Sequence, residues 1–189
     1  MQHYGFSLAP RVLLIYIART LLVMLGRVKM NDVFMLNTTG LWQGLWASVV
    51  ITFLVSAYPA FSLNGSLLLA NVLIQIVAMT TMVLIFIGFL QRKGFGDRTF
   101  AYLVPFIWIE NVQLLFSGLI QNLIVVSRDT GLMILVAPLV FWSVYWLWRV
   151  GYDQLDKRGW LAAGLLLMSF FINAGLSMFL QNRVDIPLG

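Results

Sequence analysis

Residues 101–126 read AYLVPFIWIENVQLLFSGLIQNLIVV and carry a single charged side chain, Glu110. A run this long and this apolar crosses a bilayer, whose hydrocarbon core takes about 20 residues of helix. Within it Glu110, Gln113, Ser117 and Gln121 recur at spacings of three and four residues and share one helical face. Asn111, Gly118 and Asn122 widen that face to about half the circumference. Such a surface is unsuited to lipid. Glu110 stands roughly 13 Å inside the span at 1.5 Å per residue, and an ionisable group at that depth is a functional candidate by default. It can be read as a proton carrier, as a counter-ion for a cationic headgroup, or as the carboxylate of a polar cavity. The competing reading is a protonated or arginine-paired structural residue; with no second embedded carboxylate, a proton relay is the weakest of the functional roles.

Four comparable stretches, at 41–61, 67–90, 132–148 and 160–180, complete a set of five spans. Their connectors hold breakers: Pro59 and Asn64-Gly65, Gly94-Phe95-Gly96, Asp129-Thr130-Gly131, and Arg158-Gly159. Five spans of about 22 residues would occupy about 58% of the chain, close to its apolar fraction of 61%. The sequence therefore predicts an all-α, polytopic membrane protein, a bundle of five transmembrane helices in one integral membrane domain over 1–189, with little room for an extramembrane domain. Upstream, the stretch 12–26 is too short to span and is interrupted by Arg19. At 100° per residue Leu13, Leu14, Ile17, Leu21, Met24, Leu25 and Val28 share an arc opposite Arg11, Arg19, Arg27 and Lys29. That pattern predicts an amphipathic helix over 8–30, lying in the membrane interface with its basic side chains on anionic lipid. An uninterrupted apolar core and a small-residue cleavage site, the marks of a secretory signal, are missing.

Charge placement predicts the orientation. With the N-terminus cytoplasmic, Arg11, Arg19, Arg27, Lys29, Arg92, Lys93, Arg98, Arg149, Lys157 and Arg158 fall inside, and only Arg128 and Arg183 fall outside. The positive-inside rule thus favours N-terminus in and C-terminus out. Tyr16, Trp42, Tyr58, Tyr102, Trp146, Trp148 and Trp160 fall near the expected interfaces. The excess of 12 Lys and Arg over 7 Asp and Glu is then a matter of topology, and nucleic-acid binding is not expected.

Other polar and small residues recur at helical spacing. Gly40, Gly44, Ser48, Thr52 and Ser56 repeat every four residues in the first span and predict a close helix-packing face or a partner-docking face. Asn71 with Gln75 in the second span, and Ser169, Asn173, Ser177 and Gln181 in the fifth, read as interhelical packing stripes or a polar cavity. The chain has no Cys and one His, His3, which argues against a haem, an iron–sulfur cluster, a Cys/His zinc site or a thiolate nucleophile; neither cofactor nor metal is expected. Asp153-Gln154-Leu155-Asp156 could suggest Mg²⁺-dependent phosphotransfer, but no second acidic loop accompanies it and Lys157-Arg158 follow, so it reads as a solvated loop. Ser66 lacks an activating His or Lys, and Gly94-Phe95-Gly96-Asp97 lacks the Gly-Lys-Ser/Thr of a phosphate loop. No enzyme is expected.

Gly94-Phe95-Gly96 before the third span, Trp108 within it, the aromatic stretch from Trp142 to Arg149, and Trp160-Leu161-Ala162-Ala163 opening the last span resemble the Yip family of five-span proteins. The likeness covers about residues 30–181. The Asp-Leu-x-Gly-Pro type motif of eukaryotic relatives is absent, only Asn31-Asp32 preceding the first span. The resemblance thus points away from Rab-type GTPase partners and toward a bacterial protein of the inner membrane. It implies a scaffold or accessory subunit, organising the membrane or a complex of other membrane subunits. A small transporter or lipid-handling protein built around Glu110 is the alternative and would need to oligomerise, since one chain lacks paired inverted halves.

Overall fold

The computed structural model describes residues 9–62 and 66–181. His3, Asn64, Gly65 and Arg183 lie outside them, and so do the side chains of Pro59, Ser177 and Gln181. Seven helices follow in order: α1 (Pro10–Met24), α2 (Met30–Val33), α3 (Thr38–Ser62), α4 (Ser66–Arg92), α5 (Thr99–Ser127), α6 (Val136–Gln154) and α7 (Gly159–Gln181); 3-10 turns at Gly96–Arg98 and Thr130–Leu135 precede α5 and α6. Helices α3 to α7 supply five segments long and apolar enough to cross a membrane, so the chain is an all-helical, multi-pass membrane protein. The helix of the first span runs through Pro59 to Ser62 rather than ending at it.

Local chemistry sets the ends. Asn37 caps α3 by accepting the Gly40 N–H on Oδ1 at 3.0 Å. Gly94, with φ of +80°, closes α4. Its N–H reaches the Gln91 carbonyl, and the Phe95 N–H reaches the Leu90 carbonyl at 2.9 Å, the paired bonds of a Schellman cap. That turn drives Phe95 back into the protein, where it is buried.

Helix α5 is the hub. Its longest interface is with α3, and α6, α1 and α4 also pack on it. Around it run α3 against α4, α4 against α7, and α7 against α6. Lipid tails are as apolar as leucine, so this packing rests on close contact and small residues more than on expulsion of water. A Cβ at Gly118 would sit 2.5 Å from Val55 Cβ, and one at Gly151 would sit 2.6 Å from Ala162 Cβ. Glycine at these two positions lets α5 meet α3 and α6 meet α7.

The core is concentrated at one end. Phe86 and Leu90 of α4, Tyr102 to Ile109 of α5, Leu147 and Val150 of α6, and Leu161, Leu165 and Leu166 of α7 are all buried. In the other half, Leu69 and Leu73, Leu119 and Leu123, and Phe171 and Met178 are exposed. The packed end carries the basic loops. There Arg98 pairs with Asp156 across two loops, Arg158 covers the Phe95 ring at 5.2 Å, and Gln154 Nε2 donates to Asn31 Oδ1 at 3.2 Å. Asp153 is part of α6 and pairs with Arg149 at 2.9 Å. The acidic pair is therefore held by Arg149 and Arg98, not by the adjacent Lys157 and Arg158.

The amphipathic segment packs on the bundle through part of its apolar arc. Helix α1 buries Val12, Tyr16, Ile17, Thr20, Val23 and Met24, and Tyr16 stacks on Trp108 of α5 at 4.9 Å. Leu14 and Leu25, on the arc expected to face the bilayer, are exposed. The arc thus divides between protein and surroundings because α5 offers an aromatic ledge that sequence periodicity does not record. Tyr16 and Tyr102 are core residues rather than interfacial ones, Tyr102 lying against Phe86 and Phe106.

Candidate functional site

The polar half-circumference of α5 separates into two faces with different neighbours. Asn111, Gly118 and Asn122 look at α3. The Asn111 amide donates to the Gly44 carbonyl at 2.9 Å and its Oδ1 accepts from Ser48 Oγ. Asn122 Nδ2 donates to the Val55 carbonyl at 3.1 Å. Asn111 and Asn122 are eleven residues apart, as are Gly44 and Val55, about three helical turns on each helix. The matched spacing fixes the register of α3 against α5.

The stripe on α3 is the other half of this contact. A Cβ at Gly44 would lie 3.0 Å from Ile107 Cγ2. Ser48 and Thr52 are buried, a Cβ at Gly40 would collide with the Met35 carbonyl oxygen, and Ser56 Oγ accepts from Asn71 Nδ2 at 3.5 Å. The face expected to pack or dock is consumed inside the chain.

Glu110, Gln113 and Ser117 point the other way, into a cavity of about 270 Å³. Gln75 and Met79 of α4, Leu147 of α6, and Ser169 and Asn173 of α7 complete its wall. It lies between α5 and α7, which have no extensive contact with each other although α4 and α6 bridge them on either side. Nearer the basic loops Phe86, Tyr102 and Phe106 pack as a ring cluster. Farther from them Asn173, on the cavity wall, and Gln121 are exposed.

Hydrogen bonding within the cavity is incomplete. Ser117 and Ser169 donate back to the Leu114 and Leu166 carbonyls at 3.2 and 2.7 Å, which leaves their oxygens as acceptors. The Glu110 carboxylate and the Gln75, Gln113 and Asn173 amides make no hydrogen bond or ion pair with any described residue. Polar groups inside a membrane-spanning bundle need water or a ligand where the protein supplies no partner. Among the described residues no Lys or Arg lines the cavity, so their charge there is that of one carboxylate or none.

Gln75 and Met79 also form the wall of a second groove, of about 120 Å³, between α3 and α4. Trp42, Leu45, Trp46, Val49 and Ile76 make this groove largely apolar. Single-helix periodicity marked Gln75, Ser169 and Asn173 as packing stripes or the lining of a polar cavity. Their convergence with Glu110 depends on helix rotation and was not readable from spacing.

The basic residues expected on lipid are dispersed. Arg11 and Arg27 are exposed, Arg19 is half-buried, and Lys29 lines a crevice beside α6. Among the described residues no three His, Asp or Glu side chains come together as metal ligands do. The fold and site define a multi-pass membrane protein with a polar cavity inside its helix bundle. No family model, curated protein or solved structure matches this chain.

Proposed function

We propose that the chain is a non-catalytic membrane protein that binds the polar head of an amphiphile in the cavity around Glu110, as a lipid-handling protein or small transporter does. The observation that carries this reading is the set of hydrogen-bonding groups without hydrogen-bond partners among the described residues, Glu110, Gln113, Gln75 and Asn173, converging from three helices. A carboxylate accompanied by amides and hydroxyl oxygens, without a basic residue, suits a cationic or hydroxyl-bearing head and disfavours an anionic one. The apolar groove sharing Gln75 and Met79 suits the attached hydrocarbon. By the charge rule the exposed Asn173, on the part of the cavity wall remote from the basic loops, faces away from the cytoplasm, which puts ligand entry on the outer side.

A scaffold or accessory-subunit role, to which the Yip-like resemblance leads, would need a docking surface other than the α3 stripe, which meets α5 at Gly44 and Ser48, Met35 at Gly40 and α4 at Ser56. Purification of wild type and Glu110→Gln in mild detergent, followed by mass spectrometry of bound material, tests the proposal. Wild type is expected to retain a stoichiometric amphiphile and the variant to lose it, with equal or higher thermal stability, because Glu110 holds no protein partner. Full retention by Glu110→Gln would sink the reading. A stoichiometric second protein in place of a small ligand would revive the accessory role.

A further inference from the structure

A second crevice, of about 340 Å³, lies at the basic end, between the α1–α2 segment and the end of α6. Its wall combines Lys29 and Asn31 with Arg149, Asp153 and Gln154, over a base of Val23, Val28, Met30 and Trp146. The groups are held in place from within. Arg149 Nε is bonded to Asp153 Oδ2 at 2.9 Å, which fixes the guanidinium plane and leaves terminal N–H groups for another acceptor. The Gln154 to Asn31 hydrogen bond ties the two walls together.

We infer that this crevice is a specific site for a phospholipid with one phosphodiester and a hydrogen-bond-donating headgroup. Three features on the page select that occupant. Lys29 and Arg149 against Asp153 leave a net charge of one positive, which matches one phosphodiester. Asp153 and the Asn31 and Gln154 carbonyls supply acceptors for an amine or hydroxyl beyond the phosphate. The crevice lies at the end of the segment Thr130–Gln154, which is long and apolar enough to span a membrane, and a tryptophan and three apolar side chains at its base suit the glycerol region better than a soluble phosphate. This site is separate from the cavity at Glu110 and does not depend on what that cavity binds. It also differs from diffuse attraction to a basic surface, because of the four basic residues in the first 30 positions only Lys29 lines it.

The test uses the full chain in detergent, with native mass spectrometry counting lipids retained as phosphatidylethanolamine, phosphatidylglycerol or phosphatidylcholine is titrated in. The first two carry headgroup donors and the third carries none. Wild type is expected to hold one molecule of either donor lipid roughly tenfold more tightly than phosphatidylcholine. Lys29→Gln should weaken donor-lipid binding by roughly tenfold, and Arg11→Gln, outside the crevice, by less than about twofold. Lys29 is exposed, so its loss leaves the fold intact, as an unchanged melting temperature will show. Asp153→Asn should reduce the preference for phosphatidylethanolamine over phosphatidylcholine. Equal retention of the three lipids, or an unaltered Lys29→Gln, overturns the site. Displacement of the lipid by millimolar inorganic phosphate would assign the crevice to a soluble ligand and overturn the lipid.

Discussion

Asn111 is fully buried and uses both ends of its amide on α3, through Gly44 and Ser48. Its neighbour Glu110 uses neither carboxylate oxygen on the described protein. One step along the helix turns a side chain by about 100°, and that turn separates a structural polar residue from a functional candidate. Replacing Asn111 by Leu should therefore cost about 1–3 kcal/mol, because Ser48 and the Gly44 carbonyl lose their partner in a low-dielectric interior. Thermal unfolding in detergent will measure this, and a loss no greater than that of Glu110→Gln would contradict the assignment of faces. The polarity of both residues was legible in the sequence. Which of them faced a neighbour was not, since both belong to one continuous polar arc.

Helices α3 and α5 meet through Gly44 and Gly118, and a single methyl group at Gly118 already falls 2.5 Å from Val55. Gly118→Leu should force these helices apart and destabilise the protein by about 1–3 kcal/mol or more. Gly164→Leu, at an exposed position where an added Cβ meets nothing within 4 Å, should stay within about 0.5 kcal/mol of wild type. Comparison of the two variants by thermal melt separates close helix approach from any general intolerance of bulk. Unequal use of the small residues explains why the repeat at Gly40, Gly44, Ser48, Thr52 and Ser56 could be read as a contact face while its partner could not. Periodicity identifies a stripe, and the packing of α5 claims it. The same limit applies to α1, whose apolar arc was plain but whose docking through Tyr16 on Trp108 required α5 to be in place.

For the molecule as a whole, the core is packed most tightly near the basic loops, and a polar cavity lies beside Glu110 between α5 and α7. The chain has no native cysteine, so single cysteines report access without background. Asn173→Cys, exposed beside the cavity, should react in intact cells with a membrane-impermeant thiol reagent, whereas Ala162→Cys, buried in the packed half, should not. Labelling of Asn173→Cys only in inverted vesicles would reverse the orientation derived from charge. The ion pair between Arg98 and Asp156 joins the basic loops, yet both side chains are about half exposed. It acts as a tether at the end of a bundle whose stability lies in the buried rings and aliphatic residues beneath.

The membrane class, the five spans and the clustering of basic loops at one end were determined by composition and periodicity alone. The energetics of placing backbone and charge in or near lipid act on each segment separately and leave their mark in linear sequence. Tertiary structure alone decided that Glu110, Gln75, Ser169 and Asn173 share a cavity, that Asn111 and Asn122 serve α3 instead, and that Lys29 meets Arg149 across a crevice. Each of these depends on how one helix is rotated and shifted against another. That is settled by the summed contacts of small side chains distributed over the whole bundle, which no single helical period records.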